Sequence, residues 1–221
     1  MATRQVLAEL LSVYQQLSGV SVQLTSVGGV DAARRIADGE AFDLVVLASD
    51  AIERLMEAGH LVAGSRVDLV RSEVAVAIRD GAAVPDLHSE AAVREAVLAA
   101  PRIGYSTGPS GTALLERFRR WGIADALQER LVQARPGVPV ASLIASGEVA
   151  LGFQQLSELQ GVSGIQVVGR LPPSVAIVTT FSAAYPRQPA VASSDALHGL
   201  VSFLASEETE AVKRRHGMAP A

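Results

Sequence analysis

Apolar positions along this chain alternate between two periods. Val6, Leu7, Leu10, Leu11, Tyr14 and Leu17 share one face of a helix over residues 3–17 that stops near Gly19. Val20, Val22 and Leu24 then alternate as a strand does, and lead through Ser26-Val27-Gly28-Gly29 into a helix with Ala33, Ile36 and Ala37 on one face. Residues 44–47 form the unbroken apolar run of a strand covered on both faces, and Ala48-Ser49-Asp50 open a further helix ending at Gly59. This strand–helix–strand rhythm predicts an α/β fold with parallel strands and with loops gathered at the strand C-terminal ends.

The rhythm continues to the end. Strands are expected at 67–70 and 74–78 around Arg71-Ser72-Glu73, and a helix at 89–99 with Glu90 in its first turn. A short helix at 125–130, a strand at 131–134 and a helix at 138–146 follow. A buried strand at 149–153 runs into the polar junction Gln154-Gln155-Leu156-Ser157-Glu158, and strands at 165–168 and 175–181 flank the break at Pro172-Pro173. Ser193-Ser194-Asp195 cap a helix through Phe203 and Leu204, and Ser206 caps a last one stopped by Gly217.

Between these elements lies the stretch 102–118. Residues 103–105 are an apolar strand, Ser106, Thr107 and Ser110 a ring of hydroxyls, and Pro109 suits the opening of a helix that begins at Ser110. A helix N-terminus with that collar holds an anion through N–H groups and dipole without a fixed cation. The turns at Ser26-Val27-Gly28-Gly29 and Ala48-Ser49-Asp50 repeat its chemistry, and the junction after residue 153 is a fourth such turn.

Composition narrows the classes. The 221 residues are 49% hydrophobic and 19% charged with net charge −4, ample for a packed core and without the basic footprint nucleic acid needs. Lys213-Arg214-Arg215, the one basic cluster, falls in the last turn of a helix, where positive charge suits the dipole. Cysteine is absent, which excludes disulfides and thiolate metal sites. No apolar run approaches a membrane span, and the first residues enter an amphipathic helix instead of a signal peptide.

The motifs favour binding over catalysis. Gly104-Tyr105-Ser106-Thr107-Gly108 matches G-x-S-x-G formally. Ser106 nevertheless precedes the helix start, and the downstream base, His198, lies three residues after Asp195 on one helix. The only lysine is Lys213, so a phosphate-binding G-x-x-x-x-G-K loop is excluded, and His60, His88, His198 and His216 lack ligand spacing, so no metal or cofactor is expected. Arg71, next to Ser72 where the chain crosses between sheets, suits either a two-pronged grip on a carboxylate or an interdomain salt bridge.

Taken together, Ser26-Val27-Gly28-Gly29, Phe42-Asp43 with the run to Ala48-Ser49, Met56-Glu57-Ala58-Gly59-His60-Leu61-Val62, Tyr105-Ser106-Thr107-Gly108-Pro109-Ser110-Gly111 and Gly147-Glu148 with the run to Phe153 resemble the molybdate-binding-protein-like branch of the class II extracellular solute-binding proteins. The resemblance spans nearly the whole chain. It implies two α/β lobes, each a mostly parallel sheet flanked by helices, joined by two crossing strands and closing on a small anion. Lobe one is expected at residues 1–71 with 182–221, and lobe two at 72–181. Ser26, Gly28, Gly29 and Ser49 fall on the first wall, Ser106, Thr107, Ser110 and Gly111 on the second, with Phe153, Gln154 and Gln155 beside them and Arg71 as a further ligand.

The implied role is the solute-binding component of an ABC importer, periplasmic in full-length form, with a membrane permease as partner and no nucleic acid. Against the family pattern the chain begins at the helix after the first strand, so that strand of lobe one and its signal peptide are expected to be absent. Tetraoxyanion binders of the family often place a Tyr where Phe153-Gln154-Gln155 stand, so a molybdate-type oxyanion and a small organic carboxylate both stay open. Relatives resemble an aconitate isomerase, and in that alternative Glu73 is the base and Arg71 the substrate anchor.

Overall fold

The computed structural model describes residues 1–189 and 195–221, so the Ser193 and Ser194 caps lie outside the described residues. In chain order the elements are α1 (Arg4–Ser18), α2 (Gly29–Ala37), β1 (Val45–Ala48), α3 (Ser49–Glu57), β2 (Val67–Arg79), α4 (Glu90–Ala99), β3 (Ile103–Tyr105), α5 (Pro109–Arg120) and α6 (Ala124–Leu127). They continue with β4 (Leu131–Gln133), α7 (Val140–Ala145), β5 (Leu151–Gln155), α8 (Leu156–Leu159), β6 (Ile165–Arg170), β7 (Val178–Ala184), α9 (Asp195–Ala205), α10 (Glu210–Arg215) and β8 (Met218–Pro220). The chain divides into two compact units, Met1–Ser72 with Thr179–Ala221, and Glu73–Val178. β2 and β7 each carry the chain from one unit into the other.

In the first unit, α1 and α9 bury Val6, Leu10, Leu11 and Leu204 against Leu69, Val70 and Ala183. The Tyr14 hydroxyl donates to the Ala196 carbonyl at 3.0 Å, and its ring lies 5.3 Å from that of Phe203. Ile36, Ile52 and Leu61 fill a second core against Val45 and Leu47. The strand pairing here corrects the expected parallel sheet: β1 runs antiparallel to β7 (Val46 opposite Ala183), and β2 antiparallel to β8 (Arg71 opposite Ala219). The expected strand at Val20–Leu24 is irregular chain. Its N–H groups are claimed locally: that of Val20 by Ser18 Oγ at 3.2 Å and that of Val22 by Gln15 Oε1 at 2.6 Å.

In the second unit the expected parallel core is present. β3 lies between β4 and β5 and is parallel to both, with Tyr105 opposite Gln133 and Phe153. β2 closes the sheet antiparallel to β5 and to β6. One face is covered by α4, α5 and α6 through Val93, Val97, Phe118 and Leu127. The other is covered by α7, whose Ile144 lies so close to β5 that a Cβ on Gly152 would come within 2.3 Å of it.

Two expected strands are redrawn. β2 runs unbroken through Arg71-Ser72-Glu73, because exposed Arg71 and buried Ser72 continue the alternation of a strand. The strand expected at 175–181 forms at Val178–Ala184 instead, since Pro173–Val175 take a 3-10 turn behind Pro172.

Candidate functional site

In the second unit β3 ends at Tyr105, and the chain turns through Ser106, Thr107 and Gly108 into α5, with Pro109 as its first residue. The helix thus starts one residue earlier than expected. Ser106 Oγ and Ser110 Oγ stand 3.0 Å apart and share one hydrogen bond, so the hydroxyl that accepts keeps its own proton for a ligand. The Gly111 and Thr112 N–H groups reach the Gly108 carbonyl at 3.0 and 3.2 Å, which leaves the Ser110 N–H and one hydroxyl of the pair to be offered at the helix mouth. Gly111 is there because nothing larger fits: a Cβ would lie 1.9 Å from the Ser106 carbonyl oxygen. The structure therefore brings Ser106, Thr107, Ser110 and Gly111 together in one turn.

Charge separates this helix end from the other two candidates. The first turn of α5 holds no acidic residue, and its last turn carries Arg117, Arg119 and Arg120, so the positive dipole end is uncompensated. In the first unit, Gly28 is the N-cap of α2, Gly29 its first residue and Ser26 half-buried just before it, but Asp31 already sits in that first turn. Ser49 is half-buried as the first residue of α3, followed at once by Asp50. Those two carboxylates stand in the first turns of the helices that Ser26, Gly28, Gly29 and Ser49 lead into, paired with Arg34 at 3.6 Å and Arg54 at 3.0 Å. The signal was legible in the sequence, since both acids stand two residues or fewer after the turn.

Beside the α5 turn lies the end of β5, brought there by the parallel pairing of Tyr105 with Phe153. Phe153 departs from its expected place on a binding wall. It is 3% exposed and packs edge-on against Phe118 at 6.3 Å, because alternation along β5 points it into the core. Gln154 and Gln155 are buried strand residues. Gln154 Oε1 accepts from the Ala141 N–H at 3.4 Å at the start of α7. Close by, burial pushes the Glu158 carboxyl above its usual range. Next to it the Ser157 hydroxyl is buried without a hydrogen-bond partner among the described residues. Glu158 is a partly buried carboxyl that the residue pattern did not single out.

Arg71 and Glu73 are placed otherwise than expected. Arg71 is exposed and its Nε donates to the Pro220 carbonyl at 3.0 Å, fastening β8 to β2; this contact gives no basis for a grip on a carboxylate. Glu73 faces Arg170 at 3.7 Å in a solvent-screened pair, a poor setting for a base. His198 packs its ring edge-on against Tyr185 at 5.4 Å in the first unit, while Ser106 belongs to the second. Ser206 donates its hydroxyl to Phe203 instead of capping the last helix. Among the described residues no group of three His, Asp or Glu side chains is arranged to hold a metal ion.

Residues 1–219 match the family described as bacterial extracellular solute-binding protein. The chain belongs to that family. A relative from a Pseudomonas species, described as aconitate isomerase, is 31% identical over 218 residues, covering 96% of this chain and 82% of the relative. The periplasmic molybdate-binding protein of Azotobacter vinelandii superposes with a TM-score of 0.79 at 20% identity, over 99% of this chain and 95% of that one. The substrate-binding domain of a putative molybdenum ABC transporter from Clostridium difficile does so with 0.75 at 18%, over 100% and 95%. The α/β fold, sheets flanked by helices, is thus that of the molybdate-binding-like class II solute-binding proteins, and the role of the family is to bind a solute. No helix among the described residues is long and apolar enough to cross a membrane.

Proposed function

We propose that this chain is the solute-binding component of an ABC importer that takes a small anion, a molybdate-type oxyanion or a small organic carboxylate. The observation that carries this reading is the N-terminus of α5, which has a paired-hydroxyl collar and no acid in its first turn. Uncharged donors suit a site that is empty for part of its cycle, since no buried charge is then left unpaired. Ser106, Thr107, Ser110 and Gly111 are the primary donors. The protein works in the periplasm and delivers its ligand to a membrane permease.

Calorimetry against molybdate, tungstate, sulfate and tricarboxylic acids tests the reading. One of these anions is expected to bind, and Ser110→Ala to weaken it about 10- to 100-fold, the worth of a hydrogen bond to a charged group. No heat from any of them, or full affinity in Ser110→Ala, overturns it. A second reading, an isomerase of a small tricarboxylate on the same fold, is favoured by the 31% identical relative described as an aconitate isomerase.

A further inference from the structure

We propose that the outer edge of β4 is a contact surface for a second copy of this chain. The two β4 strands pair antiparallel about a two-fold axis, and the sheet of the second unit continues from one copy into the other. β4 ends that sheet: among the described residues it pairs with β3 alone. The Ala134 N–H donates to the Tyr105 carbonyl at 2.9 Å, so the backbone groups of Val132 and Ala134 face β3, and those of Leu131 and Gln133 face outward. Gln133 is exposed, and among the described residues nothing reaches its N–H or C=O. Sheet edges are commonly guarded by a charge, a proline or a bulge, and β4 holds none of these. The adjacent Arg130 is turned back onto its own unit, donating to the carbonyls of Leu98, Ala100 and Ala126.

The charges flanking the strand say that the occupant is a second copy. In an antiparallel pair, outward-facing residues must oppose outward-facing residues. An axis through Val132 meets that condition: Leu131 of each copy opposes Gln133 of the other, and each N–H donates to the opposite carbonyl. Val132 then meets its own counterpart as a close, non-hydrogen-bonded pair, which covers two half-buried apolar side chains. The same axis brings Glu129, just before the strand, to Arg135 of the second copy, just after it, once at each end of the contact. Both side chains are exposed, and neither has a partner among the described residues. The exposed apolar residues Leu98 and Val138 flank the strand as well. The Leu98 carbonyl accepts from Arg130 at 2.8 Å, and the Val138 N–H donates to the Arg135 carbonyl at 2.9 Å. The sheet's other edge, β6, lacks this match, because it carries Arg170 and no acid to meet it in a second copy. A strand of 3 residues makes a small contact, so the dimer belongs with weak, reversible assemblies.

Sedimentation velocity of the full chain, from about 10 µM to about 1 mM, tests the surface. Wild type is expected to show a monomer–dimer equilibrium. Glu129→Arg and Arg135→Glu each set like charges against one another at both ends of the contact, and each is expected to weaken the dimer about tenfold. Mixed in equal amounts, the two variants oppose unlike charges again, and the mixture is expected to recover the wild-type association. Circular dichroism checks that the fold is kept, as it should be at two exposed positions. Wild type that stays monomeric over the whole range overturns the proposal, and so does a dimer that both single variants leave intact. A mixture that associates no better than its components overturns the antiparallel register and the proposal with it. Should either variant not fold, hydrogen exchange in wild type decides. The Gln133 amide is expected to exchange more slowly as chain concentration rises, and exchange independent of concentration overturns the proposal.

Discussion

At the scale of single residues, the chain's only lysine is its least comfortable side chain. Lys213 is 1% exposed and lines a small apolar pocket with Val6, Leu10, Val46 and Leu204 in the first unit. Burial pushes its pKa below the ordinary lysine value, with Glu210 pulling the other way. Below the lowered pKa the folded state bears the full cost of a poorly solvated ammonium. Between the lowered and the ordinary value the unfolded chain holds the proton and the folded one does not, so stability rises with pH through that window. Lys213→Met is expected to stabilise by about 1 kcal/mol, or ~2–4 °C in melting temperature for a chain of this size, and to flatten that alkaline rise. A lower melting temperature would show that the ammonium has a partner worth keeping. Residue chemistry was only half legible beforehand. Asp31 and Asp50 stood in the sequence next to those turns. The burial of Glu158 and the engagement of Gln154 by the Ala141 N–H leave no mark in the residue pattern.

At the scale of elements, hydrophobic period found the helices and the parallel core of the second unit but misjudged strands where side chains compete for the backbone. Val20 and Val22 alternate like a strand, yet Gln15 and Ser18 at the end of α1 take their N–H groups. Arg71-Ser72-Glu73 looked like an interruption because polarity was weighed above alternation; in β2 it is simply the continuation of the pleat. Where the sequence was most informative was Gly111, whose lack of a side chain lets α5 start directly on the Ser106 carbonyl. Gly111→Ala must displace that carbonyl or the first turn of the helix, since a Cβ at 1.9 Å is impossible. The expected result is at least a tenfold loss of anion affinity. The fold should be retained, because α5 is anchored further along by Leu114 and Phe118. Calorimetry together with circular dichroism checks this, and unchanged affinity would place the ligand away from the α5 turn.

At the scale of the whole molecule, the question is which unit's turns hold a ligand. The uncompensated α5 N-terminus argues that the second unit provides the strongest donors, while Asp31 and Asp50 make the turns of the first unit weaker hosts for an anion. Hydrogen exchange separates the cases, because amides that donate to a ligand, and the turns they order, open less often once it is bound. With saturating ligand, protection is expected first and most strongly at residues 106–112. If the turns of the first unit also donate, exchange at residues 26–32 and 49–52 slows in the same titration, with the same midpoint as at 106–112. Protection confined to the second unit would make the turns of the first unit bystanders, and remove Ser26, Gly28, Gly29 and Ser49 from the ligand shell. Protection at the first unit alone would overturn the assignment of the α5 turn, because its hydroxyl pair and free dipole end would then have no part in holding the ligand.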